Sequence, residues 1–267
     1  MTRRTNKHTI ASLVLFAGAL SAAGARAEEI HVMNSGAFTV TYKAVSPAFE
    51  KQSGNTLVTV YGPSMGATPE AIPNRLLRGE PADVLILSRS ALDALVKQGK
   101  VVQGSEADLA RSRIGLVVKA GAPKPDISSV EGLKRTLLRA KSIACSDSMS
   151  GEYVSKELYQ RLGIEAQVAP KSKRIPATPV AEIVARGEAE VGFQQMSELL
   201  PVKGIQVVGP IPEEVQRITM FAAGITTNAK SPAAAKRLIE YLASREVLPA
   251  ILKSGLEPAA SAKSAGR

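Results

Sequence analysis

The chain of 267 residues contains no tryptophan, one cysteine and two histidines, and aromatic residues make up 4% of it. A single cysteine, Cys145, excludes an intrachain disulfide, and we expect it to be a small buried residue. Outside residues 1–27 His31 is the only histidine, so a Ser-His-acid triad or a zinc site is hard to assemble. No G-x-S-x-G elbow precedes a predicted helix. We therefore expect no catalytic residue, no metal and no cofactor, and we predict that the chain is not an enzyme.

Long apolar runs are also missing, since Ile10–Leu20 is too short to cross a bilayer as a stable anchor. That run follows a basic segment and precedes an A-x-A pattern that ends at Ala27. This arrangement predicts a cleavable secretory signal peptide over residues 1–27. No cysteine lies near the cleavage point to accept a lipid. We therefore expect a soluble, monomeric periplasmic protein that is not embedded in a membrane.

The formal net charge of +10 is partly carried by the predicted signal peptide, which holds four basic residues and no acidic one. The mild excess that remains would raise the local concentration of an anionic ligand. It is too diffuse for nucleic-acid binding, because no stripe of Lys and Arg with interleaved aromatic residues is present. We expect a small anion as the ligand and no nucleic acid. Residues 259–267 are predicted to be a flexible tail.

Strand-like and helix-like patterns alternate along the chain. Residues 29–34 alternate in polarity like a strand, and the apolar DVLIL run at 83–87 is typical of a buried parallel strand. This alternation predicts parallel sheets in layered α/β domains. Further strands are predicted at 57–61, 114–119, 142–146, 191–194, 206–209 and 220–226, and helices at 35–50, 90–98, 130–139, 151–162, 180–186, 233–242 and 247–253.

Small and polar residues follow several of these strands. An α/β sheet binds ligands beyond the carboxyl ends of its strands, where helix N-termini offer free N–H groups to anions. Serine hydroxyls and glutamine amides add further donors. The candidate ligand-binding residues at these turns are Ser35, Gly36, Ser64, Met65, Ser88, Arg89, Ser150, Gly151, Gln194 and Gln195.

Each candidate also has a purely structural interpretation. Ser35 and Ser88 suit ordinary helix N-caps, and Gly62–Gly66 suits a plain turn. The two glutamines could mark a solvated strand end, although burying amides without partners is costly. Arg89 could be a surface residue or a bidentate clamp on a carboxylate.

The stretch GEPADVLILSRSALDAL at 79–95 and the opening strand followed by NSGAF resemble the periplasmic molybdate-binding protein family. This family belongs to the type II solute-binding proteins of ABC transporters, and the resemblance covers roughly residues 28–257. It implies an α/β fold of two lobes, each a mostly parallel central sheet flanked by helices, joined by two hinge strands. It also implies a cleft-bound ligand and a transporter permease as partner. The implied parts are lobe 1 at 28–110 plus 213–258, lobe 2 at 115–208, and hinges near 111–115 and 210–218.

The same resemblance implies roles for individual residues. Ser35 and Ser64 match serine donors of the first lobe, and Gly151 and Val180 match backbone donors of the second. The family's ligand-binding tyrosine is replaced by Gln195. Two glutamine amides and an arginine suit a larger planar carboxylate better than a tetrahedral oxyanion. We therefore expect an ABC-importer protein that captures an organic di- or tricarboxylate. Molybdate or tungstate binding, a sensing domain without a transporter, and a secreted hydrolase are the alternatives.

Overall fold

The computed structural model describes residues 27–259. The strands are β1 (Glu29–Asn34), β2 (Thr56–Tyr61), β3 (Val84–Ser88), β4 (Ala107–Ser112), β5 (Ile114–Lys119), β6 (Ile143–Ser146), β7 (Ser172–Ile175), β8 (Val191–Gln195), β9 (Ile205–Pro210), β10 (Thr219–Ile225) and β11 (Glu257–Pro258). The helices are α1 (Thr39–Ser53), α2 (Ile72–Leu77), α3 (Arg89–Lys97), α4 (Val130–Arg139), α5 (Met149–Tyr153), α6 (Tyr159–Arg161), α7 (Glu165–Val168), α8 (Val180–Arg186), α9 (Met196–Leu199), α10 (Pro232–Leu242) and α11 (Leu248–Lys253). A π-helical segment, Val154–Leu158, joins α5 to α6.

The strands form two sheets, one in each lobe. Lobe 1 holds six strands in the order β11-β4-β10-β3-β1-β2, and lobe 2 holds five in the order β7-β6-β8-β5-β9. In lobe 1, β1 runs parallel to β2 and β3, whereas β10 runs antiparallel to β3 and β4. In lobe 2, β6 runs parallel to β7 and β8, whereas β5 runs antiparallel to β8 and β9. Both sheets are therefore mixed.

The antiparallel strands are those next to the crossings between lobes. The chain leaves lobe 1 at Ser112, begins β5 at Ile114, and returns between the end of β9 and the start of β10. The Gln216 side chain accepts the N–H of Ile114 at 2.9 Å and donates to the oxygens of Ile114 at 3.0 Å and Ile211 at 3.2 Å. One amide therefore ties the two crossings together.

Each lobe buries its own apolar core between sheet and helices. In lobe 1, Phe38, Tyr42 and Leu238 pack against the inner face of the sheet. In lobe 2, Phe193 from the sheet packs with Tyr153 and Leu158. This packing leaves the carboxyl ends of the parallel strands to face the other lobe, as the physics of α/β sheets leads one to expect.

The predicted two-lobed α/β fold is confirmed. The predicted mostly parallel sheets are instead mixed, because the strands next to the crossings between lobes run antiparallel. We propose that lobe 1 comprises residues 28–110 and 213–258 and that lobe 2 comprises residues 115–208. Cys145 is buried, as expected. Within residues 27–259 every helix is too short or too polar to cross a bilayer. The predicted signal peptide and tail lie, apart from residues 27 and 259, outside the described residues.

Candidate functional site

A cavity of about 320 Å³ lies between the two lobes, where the strand ends of both sheets meet. Its polar lining consists mainly of neutral hydroxyls and amides, and no Lys, Arg or His side chain lines it among residues 27–259. Both lobes contribute. The hydroxyl and amide residues are Ser35, Tyr61, Ser64, Ser146, Ser148, Ser150, Thr178, Gln194 and Gln195.

The lobe 1 wall is built from the turns after β1 and β2. The N–H of Ser35 donates to the Ile86 oxygen at 2.9 Å, which holds the turn against the neighbouring strand. The Ser35 hydroxyl is buried and has no hydrogen-bond partner in the described part of the chain. The hydroxyl of Ser64 accepts the N–H of Ser88 at 3.0 Å. Ser35 therefore keeps a donor for a bound molecule, because a buried polar group is normally satisfied.

The lobe 2 wall is built from the start of α5 and the end of β8. The hydroxyls of Ser146 and Ser150 lie 3.2 Å apart. Gly151 stands directly on the Ser146 backbone, and a Cβ there would overlap it. The Gln195 amide nitrogen donates to the Thr219 hydroxyl at 3.0 Å, and its buried oxygen has no partner among the described residues. Thr219 lies at the start of β10 in lobe 1, so this bond crosses between the lobes.

Three carboxyl groups also line the cavity. Glu70 is exposed, and Asp147 is half-buried near the mouth. Burial raises the pKa of Asp147 above its usual range, and the charge of Arg174 partly opposes that shift. The third, Glu198, lies on α9 inside the cavity. Burial raises the pKa of Glu198 to about 7, although hydrogen bonds from the Gln194 side chain and the Gln195 backbone act in the opposite direction.

The lobes touch each other at the mouth of the cavity. The Ser90 hydroxyl of lobe 1 lies 3.9 Å from the Met149 sulfur of lobe 2. A Cβ on Gly66 would come within 3.1 Å of the Asp147 carboxyl across the same gap. The structure therefore represents a closed arrangement of the lobes.

Six of the predicted site residues line this cavity, which brings both sets of strand-end turns together. They are Ser35, Gly36, Ser64, Ser150, Gln194 and Gln195. Their roles in binding stay predictions.

The other five predicted residues, Met65, Ser88, Arg89, Gly151 and Val180, are not among the lining residues. The Ser88 N–H is taken by Ser64, and the Val180 N–H donates to the Gln194 side-chain oxygen at 2.9 Å. Gly151 is required by its close approach to Ser146. No specific contact accounts for Met65.

Arg89 was a candidate clamp on a carboxylate with a surface position as the alternative, and its contacts correspond to the surface position. Its Nε atom lies 2.7 Å from Asp93, one turn along α3, and its Nη1 atom lies 2.8 Å from Asp108. The guanidinium is thus held on the outer surface by two carboxylates. A strand followed by an arginine shows where the strand ends. It does not show in which direction the long, flexible side chain points.

Neither Glu198 nor the turn at 176–179 was among the site residues predicted from the sequence. Glu198 comes three residues after Gln195 and carries no motif, so only the fold reveals it. Ala177 in the turn has φ of 58°, a left-handed conformation that alanine rarely adopts, and Thr178 N–H donates to the Pro176 oxygen at 2.7 Å. The sequence Pro-Ala-Thr-Pro at 176–179 could have indicated this turn, because the two prolines restrict the backbone on both sides of it.

The chain belongs to the bacterial extracellular solute-binding protein family, whose model matches residues 30–257. The predicted resemblance to molybdate-binding proteins is confirmed. The molybdate-binding protein of Azotobacter vinelandii is 29% identical over 88% of this chain and 92% of its own. The solved periplasmic molybdate-binding protein of the same organism superposes with a TM-score of 0.68 at 20% identity, covering 85% of this chain and 98% of that one.

A much more similar relative carries a different name. Aconitate isomerase of a Pseudomonas species is 48% identical over 85% of this chain and 87% of its own. Our prediction that the chain is not an enzyme conflicts with this relative and is wrong. The lack of a histidine for a catalytic triad or a zinc site does not exclude an isomerase, since proton transfer requires only a suitably placed acid or base.

Proposed function

We propose that the chain binds a small tricarboxylate of the aconitate type in the cleft and interconverts its cis and trans isomers. Aconitate is an alkene that carries three carboxyl groups. The 48% identity to a protein named aconitate isomerase supports this activity. The observation that carries the proposal is the polar lining of the cleft, which offers hydroxyl and amide donors from both lobes.

The neutral hydroxyl and amide groups of the lining can bind carboxylates, although no cation lines the cavity among the described residues. Carboxylate oxygens only accept hydrogen bonds when ionised, and serine hydroxyls and glutamine amides donate them. The free hydroxyl of Ser35 lies in lobe 1 and the hydroxyl of Ser150 lies in lobe 2, so one ligand with several carboxyl groups can contact both lobes. A volume of about 320 Å³ lies at the small-molecule end of binding sites and exceeds what a tetrahedral oxyanion needs.

The closed cleft also suits isomerisation. A reaction that moves a proton next to a carboxylate develops negative charge on carboxylate oxygens, and preorganised donors stabilise that charge best where water is excluded. The contact between Ser90 and Met149 brings the two lobes together beside the cavity.

A second candidate is solute capture for an ABC importer without turnover. The match of the family model over residues 30–257 favours it. An export signal and a periplasmic location, which we predict from residues 1–27, suit both candidates.

Incubation of the purified protein with cis-aconitate, followed by proton nuclear magnetic resonance of the vinyl signals, separates the two candidates. We expect conversion to a mixture of isomers. Calorimetry with both isomers, other tricarboxylates, molybdate and sulfate then gives the order of affinities. Tight aconitate binding without conversion would favour the carrier, and binding of molybdate alone would overturn the proposal.

A further inference from the structure

Glu198 reaches across the cleft from lobe 2 to lobe 1. It lies on α9, which begins directly after β8, and its carboxyl group lines the cavity. Its Oε1 atom lies against Gly36, where a Cβ would overlap it. Gly36 begins the helical turn that leads into α1 and stands next to Ser35. The carboxyl therefore meets the same region of the cavity as the free Ser35 hydroxyl.

We propose that Glu198 is the group that takes and returns the proton in this isomerisation, and that Gln194 positions it. The inference rests on the proposed function. Glu198 would carry out the proton transfer that this function requires.

The other two acids of the cavity are less suited to this role. Glu70 is exposed, so water stabilises its charge. Asp147 lies at the mouth, and Arg174, whose guanidinium donates to the Asp147 backbone oxygen at 3.1 Å, stands beside it. Among residues 27–259 no Lys or Arg charge lowers the pKa of Glu198, whereas the charge of Arg174 lowers that of Asp147. A half-buried carboxyl without a nearby cation binds a proton more tightly than one whose charge a cation stabilises.

Gln194 holds Glu198 through an amide of fixed orientation. Its oxygen accepts the Val180 N–H, which can only donate, so its nitrogen is the atom that is available to Glu198, and its interaction with Glu198 lowers the pKa of that carboxyl. This bond stabilises the ionised carboxylate and opposes the effect of burial. The result is a pKa of about 7 for Glu198, in the range where a carboxyl group both accepts and releases a proton at neutral pH.

The reaction balances without any other reagent. The Glu198 carboxylate takes a proton from the methylene carbon next to the double bond, and that C–H bond breaks. Its electron pair forms the new double bond, while the old π pair forms a C–H bond at the far carbon with the proton that Glu198 returns. Negative charge that develops on the substrate carboxylates is stabilised by donors such as Ser35 and Ser150. The protein ends in its starting state.

The test compares Glu198→Gln with Asp147→Asn and with Glu182→Gln, an exposed residue of α8 that serves as control. We expect Glu198→Gln to bind aconitate with an affinity within a few fold of wild type and to lose about 100-fold or more in kcat. Asp147→Asn should lose far less, and Glu182→Gln should match wild type. Wild-type kcat in Glu198→Gln, or a larger loss in Asp147→Asn, would overturn the assignment.

Two further measurements keep the outcomes distinct. Should Glu198→Gln fail to fold, Glu198→Asp retains a titrating group at a shorter reach, and its kcat should fall by about 10-fold or more with its fold intact. Wild-type kcat in Glu198→Asp counts against the assignment. If the wild type binds aconitate and does not convert it, the proposed function itself fails.

The positioning role of Gln194 has its own readout. In Gln194→Leu the pKa of Glu198 should rise, because a bond to the ionised form is lost. The acid limb of the pH profile of kcat/KM should then move to higher pH. The ionisation of the substrate is the same for both proteins, so the shift reports on Glu198. A lower kcat at every pH with an unmoved limb would mean that Gln194 only supports the fold.

Discussion

The side-chain oxygen of Gln194 and the backbone N–H of Val180 form a hydrogen bond of 2.9 Å between β8 and the start of α8. The molybdate-binding resemblance assigned the Val180 N–H to a ligand. Here the protein itself satisfies that donor, because a glutamine occupies the strand end. The Val180 N–H is therefore not free to donate to a ligand in this structure.

The Ser35 hydroxyl should contribute directly to ligand binding, because it is buried and has no hydrogen-bond partner in the described chain. Loss of a hydrogen bond to a charged group costs roughly 1.5–3 kcal/mol. We expect Ser35→Ala to weaken binding of the best ligand by about 10-fold or more in calorimetry. Ser112→Ala is the matched control, since Ser112 is another buried, unpartnered serine that lies outside the cavity. Equal effects of the two variants would contradict the prediction.

Arg89 should be dispensable for the ligand. Both of its ion pairs are partly exposed, and such pairs contribute about 0–1 kcal/mol to stability. Arg89→Ala should therefore leave the dissociation constant unchanged and shift the thermal midpoint only slightly. An affinity loss comparable with that of Ser35→Ala would show that Arg89 turns into the cleft when the ligand binds.

Arg89 also shows where sequence reasoning stops. Most strands and helices could be predicted because apolar periodicity fixes which backbone is buried, as with the exact bounds of β1, α4 and α8. Strands β4, β7 and β11 and the short helices α2, α7 and α9 were missed. The polar SKRI of β7 lies at a sheet edge, and the two turns of α2 lack a clear apolar period. Glu198 was missed because its importance arises from a contact with Gly36, far away in sequence.

Glu198 should make the protein less stable as pH rises. Its pKa is raised in the native state, so the native state binds the proton more tightly than the unfolded chain. The free energy of unfolding therefore falls as pH increases from the ordinary glutamate range through about 7. Because glutamine does not titrate, the Glu198→Gln variant does not lose stability in this way as pH rises. We expect its thermal midpoint to exceed that of wild type more at about pH 8 than at about pH 5. The thermal midpoint of Glu182→Gln should follow that of wild type at both pH values. The prediction is refuted when the midpoint of Glu198→Gln exceeds that of wild type by the same amount at both pH values.

Gly36 should tolerate no side chain while Glu198 is in place. A Cβ at this position would overlap the Glu198 carboxyl, so Gly36→Ala must displace it. Overpacking of this kind costs about 1–3 kcal/mol. Urea unfolding should show that loss in Gly36→Ala, and a smaller one when the same change is made in a Glu198→Ala background. Additive effects would mean that the two residues do not meet.

The contact between Ser90 and Met149 has a kinetic consequence. A carrier gains from a cleft that shuts firmly, because slow dissociation keeps the cargo bound until it is delivered. An isomerase with the same cleft must reopen after each turnover, so the lifetime of the shut form sets an upper limit on its rate. Weakening that contact, as in Met149→Ala, would then speed product release and loosen ligand capture at once. An isomerase built on this fold would therefore gain turnover at the expense of the firm capture on which a transport protein depends.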